Sequence, residues 1–258
     1  GRLNSERLVV NEEEGSLWAF NVVNELSSLP NVRVMPRTTI IGAFDHGIFG
    51  AVERISDHLP IPEPNKPRQI LWRIYSKRSI LAAGAIERPI AFENNDRPGV
   101  MLAGAVRTYI NRWGVVPGKR VVVFTNNNDG LKTADDFINS GFEVVAVVDS
   151  RHDAPEQKNF HHLRGASIVG TNSPKGLSVS GAAAGLFSTY GALQSGSKVA
   201  LDSLYDLGLK VTKFDIPSAE DQPYTINPCW HVKGGKGRAW IDFQNDVTVK
   251  DIDLAYRE

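Results

Sequence analysis

Cysteine is almost missing from this chain: one residue, Cys229, stands among 258. A single thiol excludes an internal disulfide, a zinc ribbon and a four-cysteine iron–sulfur cluster. Excess charge of either sign is missing as well. Lys and Arg total 29 and Asp and Glu total 29, for a formal charge of zero. No basic field therefore recommends nucleic acid or an anionic membrane as a partner. No apolar run approaches the roughly 20 residues of a membrane span, and no signal-peptide pattern is visible. These absences set the expectation of a reduced, cytoplasmic setting with no nucleic-acid or membrane partner. The length suffices for a sizeable core and one or two domains. The chain starts at Gly1 without a methionine and stops at Glu258 within a helical pattern. It reads as a piece of a longer protein.

What is present centres on residues 80–151. An apolar strand runs Ser79-Ile80-Leu81-Ala82-Ala83 into Gly84, and small residues there let a main chain approach a pyrophosphate closely. A second strand (119–125) leads through an asparagine loop and a helix (about 130–139) to a third strand that ends on Asp149. Strand, turn, helix and acid-tipped strand make a dinucleotide half-fold. Gly141 is placed to cap that helix, whose Leu131, Ala134, Phe137 and Ile138 share one face.

Before this centre, the spacing predicts a helix from about Gly15 to Leu29 with Leu17, Phe20, Val23 and Leu26 on a stripe, ended by Pro30-Asn31. Strands are expected at Val32–Met35 and Thr38–Phe44. A meander of Ile48–Ile55 with 71–75 comes next, joined through the proline-rich stretch 59–67. After the centre, a helix over 100–113 stops at Gly114. Residues 151–176 show little periodicity, and about 25 residues are too few to complete a second dinucleotide domain. A strand at 176–180 runs into Gly181-Ala182-Ala183-Ala184-Gly185, with a small-residue helix expected from there to about Leu207. The tail holds expected strands at 210–212 and 239–243 and a final helix from Val249.

The fold class this implies is α/β, of the FAD/NAD(P)-binding type with two dinucleotide-binding domains. The first βαβ unit is lacking, since no strand followed by Gly-x-Gly-x-x-Gly is present, and the second Rossmann-like domain is abridged.

The words 82–89 (Ala-Ala-Gly-Ala-Ile-Glu-Arg-Pro), 95–109 (beginning Asn-Asp-Arg-Pro-Gly-Val-Met-Leu-Ala-Gly), 121–127 and 242–252 resemble the α subunit of heterotetrameric sarcosine oxidase. The resemblance touches most of the chain except about 151–173. It implies an NAD-binding region on this subunit, a folate-binding domain downstream that takes tetrahydrofolate, and FAD and covalent FMN on or against the β subunit. The partners would be β, γ and δ subunits of the complex. The products would be glycine, hydrogen peroxide and methylenetetrahydrofolate. On this basis 1–98 is expected to form the lower half of the first dinucleotide domain with its meander, and 99–173 the abridged second domain. Residues 174–208 would return to the first domain, and 209–258 would lead toward the folate domain.

Gly84 and Gly181 each end a strand where a side chain would block a ligand. Tight packing of a helix on a sheet asks for the same small residues, and the resemblance favours nucleotide contact. Free N–H groups at a helix start over 182–186 would favour anions. Ala182, Phe187 and Thr189 come next, at the place where the family's NAD is met. Arg2, Thr39 and Ile40 complete the cofactor-binding candidates, the last two covering the adenine end.

The loop Thr125-Asn126-Asn127-Asn128-Asp129-Gly130 has one glycine where a phosphate loop has several, and Asp129 would repel a pyrophosphate. Asparagines tolerate left-handed backbone and donate hydrogen bonds, but a degenerate, non-binding loop is the stronger reading. Cys229 with His231 offers too few ligands for a metal. His46, His58, His152, His161 and His162 show no partner spacing. Arg88, Arg97 and Arg107 suit a phosphate, a subunit interface or ordinary salt bridges. Neither a catalytic nor a metal-binding residue is assigned.

Two rivals stand against this reading. A FAD-binding NAD(P)H-dependent reductase would want Gly-Asp at 181–182 and a good glycine loop at 125–130, and the sequence has neither. A non-catalytic truncated scaffold would explain the short 151–176 region.

Overall fold

Asn11 and Glu12 both take left-handed backbone, φ 49° and 64°, the twist a two-residue hairpin turn requires. They join β1 (Val9–Val10) to β2 (Glu13–Glu14) in antiparallel register. The computed structural model describes residues 8–125, 129–149, 175–212, 214–221 and 230–258. Arg2, Asn126–Asn128, His152, His161, His162 and Cys229 lie outside the described residues.

Helix α1 (Gly15–Ser28) begins directly after the hairpin. Its stripe of Leu17, Phe20, Val23 and Leu26 is exposed, whereas Gly15 is buried and Trp18 and Val22 are half-buried. The helix packs on the β1–β2 hairpin, and Asn21 donates to the Glu13 carboxylate at 2.7 Å.

Strands β3 (Thr38–Phe44), β4 (Ile48–Arg54) and β5 (Gln69–Tyr75) form an antiparallel meander. His46 and Gly47 make the first corner with positive φ. A Cβ on Gly47 would collide with the Ser76 carbonyl, so this position requires glycine. At the long connection, Ser56 is fully buried and donates to the Pro67 carbonyl at 3.1 Å. Val32–Met35 is not a strand: it has no ladder partner, and Arg33 instead lies over the Trp72 ring at 4.3 Å.

Two short parallel ladders carry the rest. In one, β6 (Ser79–Leu81) pairs with β9 (Leu177–Val179), bringing segments nearly a hundred residues apart into register. In the other, β7 (Arg120–Thr125) pairs with β8 (Glu143–Asp149). Helix α2 (Ala103–Trp113) precedes β7 and stops at Gly114, whose φ of 63° makes the left-handed cap. Helix α3 (Asp129–Asn139) joins β7 to β8. It ends as the glycine predicted: Gly141 N–H donates to Ile138 O and Phe142 N–H to Phe137 O.

The buried face of α3 is not the expected one throughout. Ala134 and Phe137 are inside with Thr133, but Leu131 and Ile138 are exposed. The reason is the helical angle, which turns 131 and 138 past the edge of the two-stranded ladder.

Helix α4 (Thr189–Asp206) packs behind β9. The tail gives β10 (Trp240–Asp242), β11 (Val247–Thr248) and α5 (Val249–Arg257), started by a reciprocal cap between Thr248 and Asp251. Residues 210–212 pair with nothing in a ladder and are irregular rather than a strand.

One side chain ties the tail to the centre. Asn95, buried in the crossover between β6 and α2, accepts from Trp240 N–H at 2.9 Å and donates to the Trp240 carbonyl at 2.9 Å. Its amide thus replaces a missing peptide in a ladder. Among the described residues no helix is long and apolar enough to cross a membrane.

Candidate nucleotide site

The register Ser79↔Leu177 and Leu81↔Val179 sets the carboxyl ends of β6 and β9 side by side. In open α/β sheets ligands bind outside such ends. Both strands run out into small residues. After Leu81 come Ala82, Ala83 and Gly84, and Gly84 has a φ of 75° with nothing within 4 Å of where a Cβ would sit. After Val179 come Ser180 and Gly181, φ 65°. Ser180 N–H donates to the Leu81 carbonyl at 3.0 Å, extending the ladder one step. Gly181 is buried, and a Cβ there would lie 3.5 Å from that of Ala192 on α4. Gly84 therefore opens outward, while Gly181 lies against the helix.

Residues 181–184 do not begin the long helix. They form a 3₁₀ turn closed by Gly185, φ 82°, with Leu186 N–H returning to the Gly181 carbonyl at 3.1 Å. The small-residue run has no side chains to set a helical face, and glycines at both ends take left-handed backbone, so α4 starts only at Thr189. The anion-favouring helix start expected over 182–186 is displaced accordingly. Ser188 caps α4, accepting from Gly191 N–H at 2.9 Å.

The first two amides of α4 are also occupied. Thr189 N–H donates to one oxygen of Asp221, and Tyr190 N–H to the other at 2.8 Å. The first turn of α4 carries no acid of its own. A carboxylate from another segment thus supplies the charge that a helix start attracts.

The structure brings Gly84, Gly181, Ala182, Phe187 and Thr189 to one end of one ladder. Thr39 and Ile40 lie on β3, which pairs within the three-stranded meander rather than within this ladder, and Ile40 is exposed. Arg2 falls outside the described residues. For a dinucleotide, bare left-handed backbone at Gly84 beside Gly181 fits a phosphate passing close to main chain. The Thr189 amide fits only where Asp221 gives it up. Ser188 was open to prediction as a cap signal before a helix. Asp221, some thirty residues on in an aperiodic stretch, carried no such signal.

Other candidates resolve into structural roles. Arg107 Nε meets Asp136 at 2.7 Å, and Asn111 donates to the same oxygen at 2.8 Å, so this arginine joins α2 to α3. Arg88 and Arg97 are exposed. His46 stands in the meander corner, and the His231 ring lies 5.3 Å from that of Trp230. The carboxylates of Asp57, hydrogen-bonded by Gln69 and Arg68, and of Asp251, hydrogen-bonded by Thr248, are both held below the usual range. Each serves a turn or a cap outside the site. Among the described residues no group of three His, Cys, Asp or Glu side chains is placed to hold a metal.

No family model matches the chain. Curated relatives do. The chain is 34% identical, over its whole length, to "Sarcosine oxidase subunit alpha" of Rhizobium meliloti (strain 1021), of which it covers 32%. It is 41% and 40% identical to proteins of the same name from Corynebacterium sp. strains P-1 and U-96, over 55% and 54% of the chain and 15% and 14% of theirs. The chain thus spans at most a third of the length of these relatives. The alignment with the first runs over 319 positions against 258 residues here, so 61 positions have no counterpart in the chain. Among solved structures, L-proline dehydrogenase from P. horikoshii superposes with a TM-score of 0.65 at 17% identity, covering 99% of this chain and 58% of that one. This likeness is one of fold alone, a mixed α/β architecture.

Proposed function

Similar along its whole length to one sarcosine oxidase subunit alpha and along about half of it to two more, this chain is, we propose, the NAD-holding part of an oxidoreductase that demethylates sarcosine. The observation that carries the reading is the glycine-ended parallel pair: β6 and β9 in register, with Gly84 and Gly181 both left-handed at the same end. Gly84, Gly181 and Ala182 would line the nucleotide's phosphates with backbone, and Phe187 and Thr189 would flank them from the start of α4. Thr39 and Ile40 would cover the adenine end from the meander, and Arg2 would join them as the remaining cofactor contact. Bound NAD would supply a redox-capable nicotinamide. The residues of this chain only hold and orient it, and no side chain here is assigned to move a proton or hydride.

The complete reaction belongs to the assembled enzyme. Sarcosine, tetrahydrofolate and dioxygen give glycine, methylenetetrahydrofolate and hydrogen peroxide, the methyl carbon passing to folate and two electrons to oxygen. In this reading FAD and FMN sit on or against a β subunit, γ and δ subunits complete the complex, and tetrahydrofolate binds a downstream domain. Residues 1–98 and 174–208 form one dinucleotide domain and 99–173 a shortened second, with 209–258 leading onward. The site would work in the cytoplasm.

The test is the nucleotide content of the full-length protein purified with its co-encoded partners. After denaturation, the released molecules are identified by chromatography and mass. NAD together with FAD and a protein-bound FMN is the expected result. FAD retained by this chain alone would replace the reading with a flavin reductase, and absence of any nucleotide would leave a non-catalytic scaffold.

A further inference from the structure

Asp221 reaches the nucleotide end of the β6–β9 ladder from outside it. Its carboxylate takes the Thr189 and Tyr190 amides, the pair that a helix start offers to an anion. Residues 214–221 that carry it have no helix or strand of their own. They are anchored at a second point instead. Ala219 bridges Val10, Asn11 N–H donates to the Ser218 carbonyl at 3.0 Å, and Ser218 N–H donates to the Asn11 side chain at 2.8 Å. Val10 is fully buried at this anchor. The segment is therefore a strap, fixed at the β1–β2 hairpin and clipped by a single carboxylate to the start of α4.

Two groups of negative charge do not share one pair of amides. A carboxylate and a phosphate that both approach Thr189 N–H and Tyr190 N–H repel each other and compete for the same donors. We propose that Asp221 is an autoinhibitory latch, a carboxylate that fills the anion position at the start of α4 until a dinucleotide phosphate displaces it and releases the strap. The inference rests on the NAD reading above. Displacement costs the nucleotide the hydrogen bonds that Asp221 makes, so the latch lowers apparent affinity and selects for ligands that carry a diphosphate. The hairpin anchor keeps the released strap close by, so that it closes again when the site empties.

The experiment uses the full-length protein, stripped of nucleotide, and titrates NAD calorimetrically into the wild type, Asp221→Asn and Asp221→Ala. Asn keeps one acceptor for the helix start and so preserves the fold, while it removes the charge. Hydrogen exchange at Ser218–Asp221 and at Val10–Asn11 is followed with and without NAD. The latch predicts about tenfold tighter NAD binding in Asp221→Asn, at least as large a gain in Asp221→Ala, and faster exchange in the wild-type strap once NAD is bound. NAD binding only to the variants would support it as well. Equal affinity in all three proteins, or weaker affinity in both variants, overturns the latch and leaves the NAD reading intact. Failure of all three to bind NAD overturns both.

Discussion

The two parallel ladders have the same outline, two strands with a helix behind them, yet they are filled differently. Between β7, β8 and α3 the interior is mostly carbon, with Thr125 and Thr133 the polar side chains buried there. Phe137 is 1% exposed and stands edge-on to Phe142, with Val123 and Ala134 buried beside it. Between β6, β9 and α4 it is small and polar: Ser180, Gly181, Ala183, Ser188 and Ser203 are the buried residues. Large apolar side chains stabilise by the area they remove from water. Small ones give up that gain but let a helix, a strand end and a ligand approach at backbone distance. The first ladder is built to hold together, and the second to be approached.

The sharpest way to break this contrast is Phe137→Ala. Removing a fully buried phenyl ring leaves a cavity under α3 and costs about 3–5 kcal/mol. Urea denaturation of the full-length protein should show the loss. NAD bound at the β6–β9 ladder should keep its affinity at low denaturant. An equal loss of affinity would mean that the two ladders are one cooperative unit and that the division is only apparent.

The carbon-filled ladder is also the one the sequence describes well. Val121–Phe124 and Val144–Val148 announce strands, Gly114 and Gly141 announce helix ends, and Asp149 closes β8 where expected. The small-residue ladder is legible only in part. Its strand ends were marked by Gly84 and Gly181, since left-handed backbone favours glycine. The start of α4 was marked only by Ser188, because Ala182-Ala183-Ala184 has no polar or apolar face by which to choose between a 3₁₀ turn and an α-helix. The carboxylate of Asp221 meets Thr189 across 32 residues, and contacts of that kind have no period. Extended pieces at 32–35 and 210–212 failed as strands for a related reason. Apolar and β-branched residues permit a strand, but a partner is what makes one.

A smaller effect is expected at Asn95, which belongs to neither ladder and joins the crossover between them to the tail. Asn95→Ala removes both hydrogen bonds to Trp240 and leaves that half-buried peptide without them, for a cost of about 1–3 kcal/mol. Hydrogen exchange should report the change at the Trp240 amide and in β10–β11 before it appears in either ladder. Simultaneous loosening of β7–β8 would show that the tail supports the carbon-filled core as well, through the Phe92–Phe124 ring contact at 5.2 Å.

The smallest effect sharpens the comparison most, because the two regions share one device. Glu87 receives the Ala103 and Gly104 amides at the start of α2 just as Asp221 receives two amides at the start of α4. The chemistry is the same, a carboxylate on the positive end of a helix. The setting differs, since Glu87 serves the carbon-filled region and faces no proposed ligand. Glu87→Gln puts an amide nitrogen where one acceptor oxygen stood, so one of the two N–H groups loses its partner. Stability should fall by about 0.5–1 kcal/mol, seen as a lower urea midpoint, with NAD affinity unchanged. Asp221→Asn should lose a similar amount of stability and yet bind NAD more tightly. If both substitutions moved NAD affinity the same way, helix capping in general would be the cause, and the difference between the two ladders would not extend to their charges.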